Sequence, residues 1–545
     1  MERKDRDLEA YTRRRLIQRG ALLGGGLIIT PTLLAACGGS SGTTAGTTAA
    51  DTAAGATTAA GDAPRAGGVF RVAISDAGPT EVIDPHAVAS AADQYRSFNV
   101  FDLLAEENLD GSIAPHLAES IEPGKDDSTE WIVKLRSGVE FHDGSPLTAD
   151  DVLWTFNRIG GSEDQPYFAT VDPYIDLKQT AKVDDLTVRF VLKQPFGNFP
   201  WFLAQKPLHI IKNGQSEFKS IEDAIGTGPF VLKGFTAGKQ TTMERFANYF
   251  KAPQPYFDAV EVIQIPKESQ KAALLAGQID GTEMFDQVAQ ALELQDNPAA
   301  QLLSIPAANV PQFYMRMDAP PFDDPKVREA MKLAIDREAL LDISFQGEGQ
   351  LGNDMHGITF PSYPKDLPQR AYDPEKAKAL LKEAGQENLT VELVTGLYPD
   401  QAAAYAQQAK AAGITINLKK IPAADVYNTD LYYLKVPFGE TSWGNSSFEF
   451  IAPMAYVKGA PYNETAFADP AWDKAFTEAT GISDPDERNA KYRELQQVLY
   501  DTGGEIIWNW GDGLVAANPK LRGFEPQVPG FPWNDLRFRE YWYAE

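Results

Sequence analysis

One cysteine, Cys37, serves a chain of 545 residues. No intramolecular disulfide and no cysteine-based zinc site can form, so the folded body must be held by its core alone. Histidine is nearly as scarce: His86, His116, His142, His209 and His356 are dispersed, and none stands at HExxH or another paired-ligand spacing. The body has no GxSxG motif, no P-loop and no catalytic thiol, and neither a metal nor a cofactor is expected. Positive charge is also short, with 50 Lys and Arg against 76 Asp and Glu, a net charge of −26. Phosphate contacts need a basic face, so nucleic acid is excluded as a partner. No apolar run reaches the roughly 20 residues of a membrane span. The longest candidate, Ala21–Ala36, is interrupted by Gly24, Gly25, Gly26 and Pro31.

What precedes and follows Cys37 is more informative. Residues 1–20 carry seven Lys or Arg, and the mild apolar run comes next, the layout of a removed targeting segment. Thr12-Arg13-Arg14-Arg15-Leu16-Ile17 resembles a twin-arginine export signal. Leu34-Ala35-Ala36-Cys37 resembles a bacterial lipobox, whose cysteine is lipidated after cleavage just before it. The alternative is an anchor that is never cut. Residues 38–64 are Gly, Ser, Thr and Ala with a few Asp and one Pro. With nothing large to bury, this tract cannot offset its ordering entropy. It reads as a flexible tether of about 30 Å. Residues 1–36 hold seven basic and four acidic groups, so the remainder carries a net charge near −29, which favours solubility.

The body reads as α/β. Residues 67–76 alternate as a strand, as do Trp131, Val133 and Leu135. Thr148 and Asp151 form a carboxylate variant of the capping box before a helix that Gly160 ends. Residues 186–195 are a further strand stopped by Pro195. In 322–338, Asp324 caps and Pro325 fits the first turn, and Val327, Ala330, Met331, Ala334 and Ile335 make one helical stripe. Residues 372–385 repeat that logic with Asp373, Pro374 and Gly385. Leu389, Val391 and Leu393, then a helix near 400–411, then Ile414, Ile416 and Leu418, make a βαβ unit with parallel strands. There is no long internal repeat and no second linker.

Six stretches in this order resemble the extracytoplasmic solute-binding proteins of ABC importers, in the family 5 group that binds peptides and nickel. They are APHLAES (114–120), WIVKLRSGVEFHDGSPLTADDVLWTFNR (131–158), GTGPF (226–230), ANYF (247–250), AGQID (276–280) and PPFDDPKVREAMKLAIDRE (320–338). The resemblance implies a two-lobed periplasmic-binding-protein-like fold, type II in its large cluster C form, hinged to close on a ligand. Lobe I would be residues 66–308 plus 516–545, with an extra subdomain near 98–210, and lobe II residues 309–515. It implies capture of a small-molecule or peptide ligand, an ABC permease as partner, action as a monomer, and a cell-membrane lipid anchor at Cys37, in the periplasm if there is a second membrane. Alternatives are a receptor for a membrane sensor and, in another class, a glycosidase with two distant carboxylates, which spacing alone does not exclude.

Candidate site residues come from loops of the second lobe. TSWGNSSFEF (441–450) offers Trp443, Asn445, Ser446, Phe448 and Glu449. In peptide-binding relatives a similar Trp-led loop carries an Asp that pairs with the ligand's amino group, and Glu449 stands at that offset here. Trp443 would stack on the ligand, although core packing explains it as well, and a solvated surface charge is the plain reading of Glu449. GNDMHG (352–357), with Asn353, and GAPYNE (459–464) are further loop candidates, and Trp508 would line the cleft near the second crossing. The lipid reading makes a direct prediction: Cys37→Ala releases the chain from the membrane fraction, and a variant that fractionates like wild type overturns it.

Overall fold

Phe70, Val72 and Ile74 face a core while Val69 and Arg71 are only partly buried. The computed structural model, which describes residues 63–125, 127–525 and 532–545, makes this segment strand β1 (Val69–Ile74). Cys37, its leader and the tract behind it lie outside those residues. Ala73 is buried too, because Leu274 and Ile279 cover the other face of the sheet. The chain next forms the hairpin β2 (Ala105–Glu107) and β3 (Ile113–Pro115). An antiparallel sheet follows: β4 (Ala118–Pro123), β5 (Glu130–Leu135), β6 (Ala181–Asp184) and β7 (Thr187–Val191), in spatial order β4-β5-β7-β6. Trp131, Val133 and Leu135 pack with Phe156, Phe190 and Phe199 in a core of their own. The helix Ala149–Gly160 on that core begins as the sequence predicts: the backbone and the hydroxyl of Thr148 both donate to Asp151 Oδ2, at 2.7 and 2.8 Å.

The chain returns through β8 (Phe230–Thr236), β9 (Gln240–Arg245) and β10 (Ala259–Gln264). β10 lies parallel to β1 in the sheet β1-β10-β9-β8. The core under this sheet joins Phe70 and Val260 to Trp533, Phe538 and Tyr541 from the end of the chain.

The second lobe begins along β11 (Gln301–Met315), followed by β12 (Gly349–Leu351), the parallel pair β13 (Thr390–Thr395) and β14 (Thr415–Lys420), then β15 (Phe438–Gly444), β16 (Glu505–Ile507) and β17 (Asn509–Ala517). The main sheet runs β12-β17-β11-β15, with β16 also on β11. The βαβ reading holds, with helix Pro399–Gln408 between β13 and β14. The stripe at 327–335 ends earlier than expected. One helix spans Pro325–Leu333, and Asp336 caps a second, Arg337–Phe345, by accepting the Ala339 N–H at 3.1 Å. Ala334 and Ile335 are buried between the two helices, so the apolar pattern continues where the helix does not.

Two strands belong to both lobes. On β11, Ile305 lies in a core of the first lobe and Phe313 in one of the second; on β17, Val515 and Ala517 share the core of Ile305 and Trp510 lies in another core of the second lobe. Where they cross, the register jumps from Ile305↔Gly513 to Asn309↔Gly511, and Ala307 takes a left-handed φ of 55°. One carboxylate holds this bulge: Asp512 accepts the Ala307 N–H at 2.9 Å and the Ser304 hydroxyl at 2.8 Å. The architecture is therefore two-lobed α/β, joined by one antiparallel strand pair. Replacing Asp512 with Ala removes both bonds and should cost about 2 kcal/mol in urea unfolding; an unchanged midpoint would mean the bulge holds itself.

Candidate functional site

Trp443 lies near the end of β15 and is partly buried. Gly444–Ser447 then turn the chain into the helix Phe448–Ala455, whose first turn presents Glu449. Glu449 reaches across: Asn198, from the loop before the first-lobe helix Phe199–Leu203, donates Nδ2–H to Glu449 Oε1 at 3.4 Å. Burial raises the pKa of Glu449 above its ordinary value, opposed by the charge of Arg488 and the Ser447 hydroxyl.

A second carboxylate faces it from the first lobe. Glu107 ends β2 and is partly buried, and its carbonyl accepts a hydrogen bond from Arg537 Nη2. Burial, then the charges of Asp535 and Glu449, push Glu107 up to about 8, against the pull of Lys206 and Arg537. Lys206 Nζ pairs with Asp535 Oδ1 at 3.2 Å and lies 5.4 Å from the Phe98 ring centre. The charge of Glu449 thus reaches a partly buried carboxylate of the other lobe and disfavours its ionisation.

Behind Trp443 lies a polar layer inside the second lobe. The Trp443 ring meets Tyr462 edge-on at 5.8 Å and His356 at 5.9 Å. Glu464 accepts the Tyr433 hydroxyl at 2.6 Å, and burial, with Glu505 nearby, pushes it up to about 8. Glu505 accepts the Tyr456 hydroxyl at 2.5 Å and sits 3.6 Å from His356 Nε2. Among the described residues no cluster of His, Cys, Asp and Glu has metal-site geometry.

Of the sequence candidates, Trp443, Glu449 and Ser446 are partly buried, and Glu449 meets the first lobe. Asn445 is buried and donates Nδ2–H to the Thr359 hydroxyl at 2.6 Å, tying the loop to its neighbour. Three expectations are corrected. Phe448 is 1 % exposed and packs against Trp472, Phe476 and Tyr492, because the first residue of its helix points inward. Trp508 is fully buried, 4.2 Å from Phe313 between ring centres, so it fills the second core rather than lining a cleft. Asn353 accepts the Arg370 N–H and donates to the Pro368 carbonyl, which makes it a brace for a loop. Its neighbour Asp354 is buried against Arg337 and Arg370 in the same brace. Sequence reading missed Glu107 and Asn198, which lie 342 and 251 residues from Glu449, a separation that leaves no local signal. Tyr462 and Glu464 were signalled by the loop candidate 459–464.

The family described as "Bacterial extracellular solute-binding proteins, family 5 Middle" matches residues 112–463. Heme-binding protein A of Haemophilus influenzae is 26 % identical over 457 residues, 77 % of this chain and 83 % of that protein. Glutathione-binding protein GsiB of Pectobacterium atrosepticum is 27 % identical over 470 residues, 81 % of this chain and 89 % of that one. The solved structure of HbpA2 from Haemophilus parasuis superposes with a TM-score of 0.76 at 22 % identity, covering 88 % of this chain and all of that one.

The Glu107 environment predicts a pH dependence. From its ordinary value of 4.5 up to about 8, the folded chain keeps a proton that the unfolded chain releases. The contribution of this group is therefore complete at low pH and is lost as pH rises through that window. Relative to wild type, Glu107→Gln should gain stability from about pH 5 to about pH 8, by more than about 1 kcal/mol. Urea midpoints measured across this range test it; a flat difference would put Glu107 in solvent.

Proposed function

Because the chain belongs to the bacterial extracellular solute-binding proteins, family 5, we propose that it closes its two lobes on a peptide-like solute and delivers it to the permease of an ABC importer. The working division is lobe I at 66–308 with 516–545 and lobe II at 309–515. The chain acts as an extracytoplasmic monomer, tethered to the membrane by a lipid on Cys37 and the segment behind it. Its relatives' names speak for heme and glutathione, and glutathione is itself a peptide with a free ammonium group.

One observation carries the ligand reading: Glu449, partly buried at the start of its helix, meets Asn198 of the first lobe, and its charge helps to raise Glu107 there. Bringing two carboxylates together in a poorly hydrated space is unfavourable unless one takes a proton or a cation comes between them. A ligand ammonium supplies that cation. It forms charge-assisted hydrogen bonds to carboxylate, and a ring face adds about 2 kcal/mol when the contact is dry. A neutral analogue leaves a carboxylate unpaired, which costs about 3 kcal/mol or more.

Native mass spectrometry of the purified chain identifies any retained solute, and calorimetry tests the clamp with defined probes. Trialanine and glutathione should each bind at least about 100-fold more tightly than their N-acetylated forms. Glu449→Gln should erase that preference. Equal binding of free and acetylated peptides removes the ammonium from the account. Peptide binding that Glu449→Gln leaves untouched places the site elsewhere.

A further inference from the structure

On the rim away from the strand crossing, the lobes touch backbone to backbone. The Gly197 N–H donates to the Thr480 carbonyl at 2.7 Å. The hydroxyls of Ser128 and Ser483 are hydrogen-bonded to each other. A Cβ placed on Gly197 would stand 1.9 Å from the Ile482 carbonyl oxygen, 2.1 Å from its carbon and 2.6 Å from Ser483 N. Gly197 is not among the residues with positive φ, so its backbone suits any residue. What requires glycine here is the closeness of the other lobe. On the opposing side, a Cβ on Gly481 would lie 3.2 Å from Pro195 Cβ.

Both partners are stiff. Phe196 and Phe199 anchor the loop 195–198 in the core around Trp131, and the Phe196 N–H donates to the Ser128 carbonyl at 3.2 Å. The turn 480–483 is held from behind by Arg488 Nη1, which donates to the carbonyls of Ile482 at 2.7 Å and Ser483 at 3.2 Å. Asp484 then caps the helix Pro485–Thr502 by accepting the Glu487 N–H. Asn198, next to Gly197, holds Glu449, so the rim contact and the candidate site share one loop.

We propose that the loop 195–198 and the turn 480–483 form a latch that fixes the closed state, and that Gly197 is the residue that permits closure. Every bond in the latch joins protein to protein, so its contribution to closing is the same for an empty and an occupied cleft. A latch of this kind strengthens binding of any ligand in proportion to the closing constant. The gain stops once the empty chain spends most of its time shut, because the latch then stabilises the empty and the occupied chain equally. The latch is thus a determinant of affinity that touches no ligand atom, and it holds whatever solute the cleft selects.

The scarcity of cysteine makes the test clean. In a full chain carrying Cys37→Ser, the double change Ser128→Cys and Ser483→Cys leaves two thiols, placed where the present hydroxyls touch. That separation lies within reach of an S–S bond of about 2.0 Å. Diamide takes one hydrogen from each thiol and is reduced to the hydrazine as the disulfide forms. Intact mass and loss of free thiol follow the rate, with no ligand added. The pair should cross-link readily. Adding Gly197→Val should slow the reaction at least tenfold with circular dichroism and the melting profile unchanged. Should that variant not fold, Gly481→Leu presses on the same contact from the other lobe and should slow it likewise. A folded Gly197 chain that never cross-links, or a rate that neither substitution changes, overturns the latch.

Discussion

Two hydrogen bonds to one carboxylate fix the place where the lobes share their backbone. Asp512 gathers the Ser304 hydroxyl and the Ala307 N–H across a bulge in a strand pair that otherwise runs unbroken from one core into the other. A regular ladder through this point would weld the lobes into one sheet. A plain loop would leave them unaligned. The bulge does neither: it interrupts the ladder for a few residues and shifts its register, while paired residues resume on both sides, so the lobes stay aligned and the bend stays local. The position of everything farther out, Trp443 and Glu449 on one side and Glu107 and Asn198 on the other, is measured from that crossing.

The electrostatics of the interior follow a different logic from those of the surface. The surface acids are mostly solvated, paired or capping. The buried ones fall into two sorts. Asp354 is enclosed by Arg337 and Arg370 and stays below its usual range, with Arg337 and Lys332 the foremost attractive charges. Glu107, Glu449 and Glu464 are raised instead, because burial outweighs the partners each has. The first sort braces a loop. Of the second sort, Glu464 lies inside the second lobe while Glu449 and Glu107 come from opposite lobes, and groups held away from their preferred ionisation state are the ones a ligand can satisfy.

Local order was legible in the sequence and juxtaposition was not. β1, β5, the Thr148–Asp151 cap, the Asp373 cap and the parallel pair β13 and β14 all follow from residue spacing within about 30 residues. The stripe at 327–335 misled only about where the helix stops, since Ala334 and Ile335 are equally buried in a turn. Composition alone could not separate Trp443 from Trp508: both are aromatic residues beside strands, and only the packing of Phe313 over the second tells core from cleft. Glu107 reads as one more acid before a turn until the fold sets it opposite Glu449.

The first core has a consequence for how the chain is made. Phe70 packs on Trp533, Phe538 and Tyr541, which are translated more than 450 residues later. The cores of the second lobe, by contrast, draw on residues 307–510 and are complete before those aromatics exist. Folding during synthesis therefore runs against the usual N-terminal-first order: the later-made lobe can finish while the earlier-made one still lacks part of its core. Until the last aromatic residues arrive, the strand that begins the body has its apolar face only partly covered, and the interval is one in which a chaperone or an export factor finds an unfinished protein to hold.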